Sequence, residues 1–288
     1  MVEIQVPFSI VMPCFNEAIN LPKVISNLKE LYPQAEIILV DDASTDNSVE
    51  IAQSLGIRVV PHQKNLGNGA CIKTGARAAS HEITVFLDSD GQHAPADIQR
   101  LLDRLHQGYD MVVGARAQSS HASFFRRVAN GIYNRLASGI TRYPIQDLTS
   151  GFRAVRTQLF RQFLYLYPNR FSYPTTCTMA FIRAGYQIDY VPITAGKRAG
   201  KSHINPLHDG VRFLVIIFKV GTLYSPLKVF LPIAVLHFLV GVSYYAYTYA
   251  TQGRFTNMSA LFIVAAMLIF LIGLVSEQIT ALLYQRKD

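Results

Sequence analysis

Tryptophan is absent from the 288 residues, and cysteine occurs three times. Cys14, Cys71 and Cys177 lie far apart, without zinc-ligand spacing and without the even count of a disulfide framework. Reduced thiols in a cytosolic compartment are therefore expected. Acidic residues are also scarce, 19 against 27 Lys and Arg, for a net charge of +8. That excess, densest between Arg116 and Lys228, would suit either nucleic acid or an anionic membrane surface. Nearby apolar stretches favour the membrane over nucleic acid. Met1-Val2-Glu3-Ile4-Gln5 has no basic n-region and no long apolar run follows it, so it does not read as a signal peptide. The front of the chain is accordingly expected on the cytoplasmic side. No internal repeat or low-complexity tract stands out.

What is abundant is apolar: hydrophobic residues make up 50% of the chain, and the mean hydropathy is +0.20. The excess is uneven, with a mixed composition over 1–200 and a strongly apolar tail. Val229–Ala250 is 22 residues without a formal charge, about 33 Å as a helix and enough to cross a bilayer. Met258–Ser276 adds 19 more. Lys219 and Lys228 precede the pair and Arg286 and Lys287 follow it, which predicts both ends in the cytoplasm and the hairpin tip outside. Glu277 falls near the cytoplasmic end, and His237 reads as a helix-packing residue. Two basic amphipathic stretches, Ser123–Leu136 and Asp209–Tyr224, have the pattern of helices lying in a membrane interface. Ordinary core-facing helices would show the same periodicity.

Ahead of these, strands and helices alternate. Apolar runs at Phe8–Met12, Glu36–Val40, Ile57–Val60, Ile83–Leu87 and Met111–Val113 predict strands. Asn20 is a candidate cap for the helix carrying Leu21, Val24, Ile25 and Leu28, with Pro22 in its first turn. Alternation at this spacing predicts an α/β fold with a mostly parallel sheet covered on both faces. Ligands then bind beyond the carboxyl ends of the strands. Asn16, Glu17, Asp41, Asp42, Asp88 and Asp90 all fall just past strand ends, so polar groups gather on one rim. Asp147–Arg153 and Phe171–Thr178 are less regular and are expected to complete the pocket with shorter elements.

Asp88-Ser89-Asp90, followed by Gly91-Gln92-His93, carries the sharpest chemistry. Residues i and i+2 of an extended segment face one way, so two carboxylates, with the Gln92 carbonyl, could meet one hard cation such as Mg²⁺ or Mn²⁺. Such an ion would hold the phosphates of a nucleotide. Acidic pairs in loops are more often only solvated, and the surroundings decide the matter.

Those surroundings resemble family 2 glycosyltransferases, and within them the polyprenyl-phosphate glycosyltransferases, over most of residues 8–205. Five segments carry the resemblance: Pro13-Cys14-Phe15-Asn16-Glu17; Val40-Asp41-Asp42-Ala43-Ser44-Thr45-Asp46; Asn65-Leu66-Gly67-Asn68-Gly69-Ala70 with Lys73 and Gly75; the Asp88–His93 motif; and Asp147-Leu148-Thr149-Ser150-Gly151-Phe152-Arg153. The resemblance implies a GT-A-type nucleotide-sugar-binding domain over 1–208, with an interface helix near 123–136. An amphipathic helix over 209–226 and a transmembrane hairpin over 227–288, with spans near 229–250 and 258–282, would follow. Pro13, Phe15, Glu17, Asp42, Lys73, Asp88, Ser89 and Lys201 would then bind the nucleotide sugar, with Asp42 taking hydrogen bonds from the base. Asp88, Asp90 and Gln92 would hold the Mg²⁺ or Mn²⁺. Gly114-Ala115-Arg116 and Arg198-Ala199-Gly200-Lys201-Ser202-His203 resemble two shorter motifs. They imply that Arg116, with Arg126 and Arg127, meets the acceptor phosphate, and that Arg198 and Lys201 cover the diphosphate. Asp90, Arg116, Arg153 and Arg198 are the implied catalytic set.

The mannose synthases of this group would have Lys where His203 stands. That departure and the two-span tail favour UDP-glucose over GDP-mannose as donor. Without tryptophan the Q-x-x-R-W signature of processive polysaccharide synthases is missing, which implies one sugar per turnover. A homo-oligomer, a tetramer, is also implied. Blander readings stay open for several positions: Asp41 and Asp46 as a turn and a helix cap, Asn65–Gly69 as a plain tight turn, Arg153 as a surface ion-pair partner, and His93 as an orienting or structural residue. Two rival functions also stand. Transfer to a lipid or saccharide hydroxyl would need a base near Asp147, whereas a nucleotide-sensing membrane protein would need no chemistry at all.

Overall fold

The computed structural model describes residues 6–116, 124–170, 172–194, 196, 218 and 221–284, with the backbone alone over 124–130. Two compact units emerge, one of residues 1–138 and 143–203 and the other of 139–142 and 204–288.

The first unit is a seven-stranded sheet in the order β3-β2-β1-β4-β6-β5-β7. β1 (Phe8–Cys14) is buried along its whole length, the mark of a central strand covered on both faces. It pairs in parallel with β2 (Glu36–Asp41) and with β4 (Ile83–Phe86), and β3 (Arg58–Pro61) lies outside β2. The chain thus winds outward from β1 to β3 and then crosses to the other side of β1, creating a topological switch point between β1 and β4. Beyond β4, β6 (Arg153–Arg156) runs antiparallel to both β4 and β5 (Met111–Arg116), and β7 (Ile188–Ile193) pairs in parallel with β5. The five expected strands all form, with ends displaced by up to three residues.

Helices cover the sheet through apolar stripes. α1 (Leu21–Leu31) buries Leu21, Val24, Ile25 and Leu28; α2 is Ser48–Ser54 and α3 is Asn68–Ala78. α4 (Asp97–His106) buries Ile98, Leu101, Leu102 and Leu105. Pro22 sits in the first turn of α1, but the Asn20 side chain does not cap it. Its amide instead donates to Glu17 Oε2 at 2.6 Å. α5 (Phe124–Thr141) and the short α6 (Thr157–Arg161) follow β5 and β6. Of the stretch 171–178, expected to be less regular, Phe171 lies outside the described residues and 173–178 are helix: α7 spans Tyr173–Arg183 and is buried along most of its length. Along α5, Tyr133 and Ala137 are buried while Ile132 and Leu136 are exposed.

The second unit is a hairpin of α8 (Pro226–Gln252) and α9 (Asn257–Tyr284), both long and apolar enough to cross a membrane. Its seam is built from small residues seven apart: Ala234, Gly241 and Thr248 on α8, and Ser259, Ala266, Gly273 and Thr280 on α9. A Cβ on Gly241 would sit 2.9 Å from Ile263, and one on Gly273 would sit 2.7 Å from Phe230. Small side chains let the backbones approach, which is what holds helices together where no water is present to drive them together. Glu277, the one acidic residue in either helix, spans the seam at its open end. Its Oε2 accepts the Ser225 hydroxyl and the Leu227 N–H, both at 3.1 Å, at the N-terminus of α8, where the helix dipole favours a negative charge. The expected interface stretch at 209–226 lies mostly outside the described residues.

Candidate functional site

The loops leaving β1 and β2 are sewn together at the switch point. Cys14 and Asp41 are register partners, and the Asp42 N–H donates to Cys14 O at 2.8 Å. Asn16 adopts a left-handed backbone (φ 56); its side-chain oxygen accepts the Thr45 N–H at 2.8 Å, and its own N–H reaches the Ser44 hydroxyl at 2.9 Å. Asp46 ties both loops to α2, with Oδ2 accepting the Ala18 N–H and Oδ1 the Ser48 N–H, each at 3.1 Å. Asp46 therefore acts as a structural anchor. Beside these loops opens a cavity of about 300 Å³, lined by Pro13, Cys14, Phe15, Glu17, Asp42, Asn68, Cys71, Asp88, Ser89 and Asp90. Burial pushes both lining thiols up, Cys14 to about 11 and Cys71 higher still, which favours the protonated form.

Asp42 clamps the glycine loop. Its Oδ1 accepts the Leu66 N–H at 2.8 Å and pairs with His62 Nδ1 at 2.9 Å, while its Oδ2 accepts the Gly67 N–H at 2.7 Å. Burial alone would raise this carboxyl; the hydrogen bonds from His62, Leu66 and Gly67 outweigh it and hold the group below its ordinary range. Gly67 has φ +99, open to glycine and strained for other residues. A Cβ on Gly69 would lie 2.0 Å from the Pro168 carbonyl oxygen. The Gly69 and Ala70 N–H groups donate to Arg170 O and Asn169 O at 3.3 and 2.8 Å. The glycines thus admit the 168–170 loop against the start of α3. Lys73 points to the same loop, donating to Tyr167 O at 3.1 Å and to the Asn169 side chain; the structure places it as a strap for that loop, away from the cavity lining.

The acidic motif turns sharply after β4. Ser89 Oγ donates to Pro13 O at 2.8 Å, anchoring the turn on β1, and Asp88 and Asp90 both line the cavity. The Gln92 N–H donates to Asp90 Oδ1 at 3.0 Å, and Gln92 O accepts the Gly196 N–H at 2.8 Å. Burial pushes the Asp88 carboxyl above its usual range and Asp90 adds to this, while His93 and Arg116 pull the other way. A further positive charge beside the two carboxylates would relieve that burden. The two carboxylates on the cavity wall suit a hard divalent ion, whereas Gln92 is not among the lining residues; His93 Nδ1, buried without a hydrogen-bond partner, shows that polar capacity is left over. Asp42, His62 and Cys71 also converge, their ligand atoms within 4.8 Å of one another. The hydrogen bonds of Asp42, and that of His62 Nε2 to Thr74 Oγ1 at 3.0 Å, account for this cluster as a structural network.

Arg116 leaves β5 and meets Asp147 side-on, Nε to Oδ2 at 2.8 Å and Nη2 to Oδ1 at 3.1 Å, with a further bond to Thr149 Oγ1 at 2.6 Å. Burial would raise Asp147, but the arginine holds its carboxyl below the usual range. Sequence reasoning missed this pair, because nothing local links positions 31 residues apart. Arg153 needs correction: it is fully buried, neither a surface ion-pair partner nor a lining residue of the cavity. It donates to Ser150 O and to Pro174 O, the latter at 3.2 Å, and lies over the Tyr173 ring. Its work is to hold α7 against the Ser150–Gly151 turn. Arg126 and Arg127, as side chains, and Arg198, Lys201 and His203 lie outside the described residues.

Residues 9–164 match the sequence model of glycosyl transferase family 2. The chain belongs to that family. Residues 225–282 match a second model, the GtrB C-terminal hairpin. Among curated family relatives, a Photorhabdus laumondii protein named undecaprenyl-phosphate 4-deoxy-4-formamido-L-arabinose transferase is 29% identical, over 94% of this chain and 88% of its own. The Haloferax volcanii dolichyl-phosphate hexose transferase is also 29% identical, over 74% of this chain and 92% of its own. For the Mycolicibacterium smegmatis polyprenol monophosphomannose synthase the identity is 27%, over 66% and 77%. A solved structure of the Mycobacterium tuberculosis glucosyl-3-phosphoglycerate synthase, with Mn²⁺, UDP and phosphoglyceric acid, aligns at a TM-score of 0.58 and 22% identity, covering 74% of this chain and 76% of that one. That likeness establishes the fold as GT-A-like. The family 2 chain is a glycosyltransferase.

Proposed function

We propose that this protein moves one sugar from a nucleotide sugar to a polyprenyl phosphate, with inversion at the anomeric carbon, from the cytoplasmic face of a membrane that its hairpin spans. The observation that carries the reading is the engagement of Asp147. A hydroxyl acceptor needs a base, expected near Asp147, and Asp147 itself is committed on both oxygens to Arg116. A phosphate acceptor needs none, since its second pKa is near 6 and much of it is dianionic at neutral pH. The acceptor oxygen attacks C1 while the bond from C1 to the diphosphate breaks, and a nucleoside diphosphate leaves. The names of the three relatives agree on a polyprenyl phosphate and differ in the sugar.

Asp88, Asp90 and Gln92 would hold a divalent cation, which when bound neutralises the departing diphosphate. Arg116, kept rigid by Asp147 and Thr149, offers its remaining edge to the acceptor phosphate. By the family resemblance, Arg126 and Arg127 would add charge there, and Arg198 and Lys201 would do so over the diphosphate. Pro13, Phe15, Glu17 and Asp42 supply the walls of the base pocket.

The state of Asp42 supports uridine. A carboxylate has about four acceptor sites; three are taken by His62, Leu66 and Gly67, and the Cys71 thiol lies close by, leaving at most one. Uracil presents a single imide N–H, whereas guanine presents two adjacent donors that call for both oxygens. UDP-glucose is accordingly the first donor we assign and GDP-mannose the second. Incubation with undecaprenyl phosphate and a panel of nucleotide sugars, with the lipid product identified by mass spectrometry, tests the reading. A glycosyl phospholipid formed from a UDP-sugar is expected. Nucleoside diphosphate released equally well without the lipid phosphate would overturn it.

A further inference from the structure

His93 directly follows the acidic turn and is 7% exposed. Its ring lies against the ring of Phe152, centroids 5.1 Å apart and planes 18° apart. Phe152 is itself fixed: its carbonyl accepts the Gly114 N–H at 2.9 Å, and Gly114 has no side chain because a Cβ there would lie 2.6 Å from the phenyl ring. The imidazole is therefore held in place by β5 and by the turn entering β6. Its Nδ1 faces Asp88 Oδ2 at 3.9 Å, too far for a hydrogen bond, and is buried with no other partner. A Cβ at Gly151 would lie 3.3 and 3.5 Å from the two Asp88 oxygens. Glycine leaves that carboxylate room to turn.

We propose that His93 is a positioning residue for Asp88: a turn of the carboxylate closes the 3.9 Å gap, and the Nδ1–H then donates to the Asp88 oxygen that does not face the cation, fixing the carboxylate as a ligand. The inference rests on the cation site proposed above. The stack on Phe152 gives it a second consequence. Phe152 belongs to the segment that begins at Asp147, so one rigid strut ties the donor-side carboxylate to the arginine of the acceptor side.

Partners that orient metal ligands are worth about 10–100-fold in metal affinity. The test is Mn²⁺ binding to the full-length protein in detergent, read by the loss of the free-ion EPR signal. Wild type is compared with H93F, which keeps an aromatic ring on Phe152 but loses Nδ1, and with H93N, whose amide N–H can stand in for it. H93F should bind Mn²⁺ about 10–100-fold more weakly at an unchanged thermal midpoint, and H93N should recover most of the loss. Transfer by H93F should return at saturating Mn²⁺. Should H93F fail to fold, H93L serves in its place. Equal Mn²⁺ affinity in wild type and in the Nδ1-less variant would overturn the role of His93 and leave the site reading intact. Wild type that binds no Mn²⁺ would sink both.

Discussion

Replacing Asp147 by Asn separates a positioning carboxylate from a general base. The change removes the charge facing Arg116 and turns an amide donor toward a guanidinium that needs acceptors at 2.8 and 3.1 Å. Losing one partner of a buried pair costs about 3–5 kcal/mol. The Arg116 side chain is 27% exposed, so water recovers part of this and about 2–3 kcal/mol remains. For a unit of this size that is a fall of roughly 5–10 °C in thermal midpoint. The pH dependence follows from the sign. Asp147 is held below its ordinary range when folded, so its contribution is complete above the unfolded carboxylate value of about 4 and is lost as the pH falls through the folded value. The gap between wild type and D147N should be full at pH 7 and shrink toward pH 3. A double-mutant cycle with R116Q, followed by thermal unfolding and by turnover, should show a coupling of about 2 kcal/mol, with the double variant little worse than either single one. D147N with normal stability, or effects of D147N and R116Q that simply add, would refute the pairing as the role of Asp147. A variant that loses all transfer at unchanged stability would restore it as a base.

Other substitutions probe separate parts. D90A should abolish transfer while the thermal midpoint moves little; near-normal turnover would remove the metal role of the acidic turn. G69A drives a Cβ to 2.0 Å from the Pro168 carbonyl oxygen and should cost about 1–3 kcal/mol, together with a raised KM for the nucleotide sugar; isothermal denaturation and initial rates check both. E277L removes the charge at the start of α8 and should weaken the hairpin by about 0.5–2 kcal/mol, measured by unfolding of the full chain in mixed micelles. An E277L protein as stable as wild type would show that the contact to Ser225 and Leu227 contributes nothing net.

Much of the first unit was legible because its central strands are continuous apolar runs ending in acid. Val40-Asp41-Asp42 and Leu87-Asp88 announce both a strand and the rim beyond it. β6 and β7 escaped. β6 begins and ends in arginine, one of them buried, and β7 is an edge strand carrying Pro192, where the missing N–H is tolerated. α7 hid for the opposite reason: Thr175, Thr176 and Thr178 give it poor helix propensity, and burial against the sheet overrides that. The acidic pair, the two spans and the glycine loop were visible as short motifs. The purpose of the glycines was not, since their partner loop lies about a hundred residues downstream. The reading of Arg153 as a surface ion-pair partner failed because nothing local in the sequence announces a guanidinium that is fully buried and bonded to the Pro174 carbonyl.

The dependence of the glycine loop on residues 168–170 has a consequence for how the protein is made. A ribosome that has released the chain as far as β5 has supplied every residue that lines the cavity. It has not yet supplied the carbonyls of Asn169 and Arg170 that receive the first amides of α3. The loop should therefore reach its final shape only after residues 168–170 have emerged. A fragment stopped at Leu164, where the family match ends, would retain the acidic turn and lack the mould that shapes its neighbour.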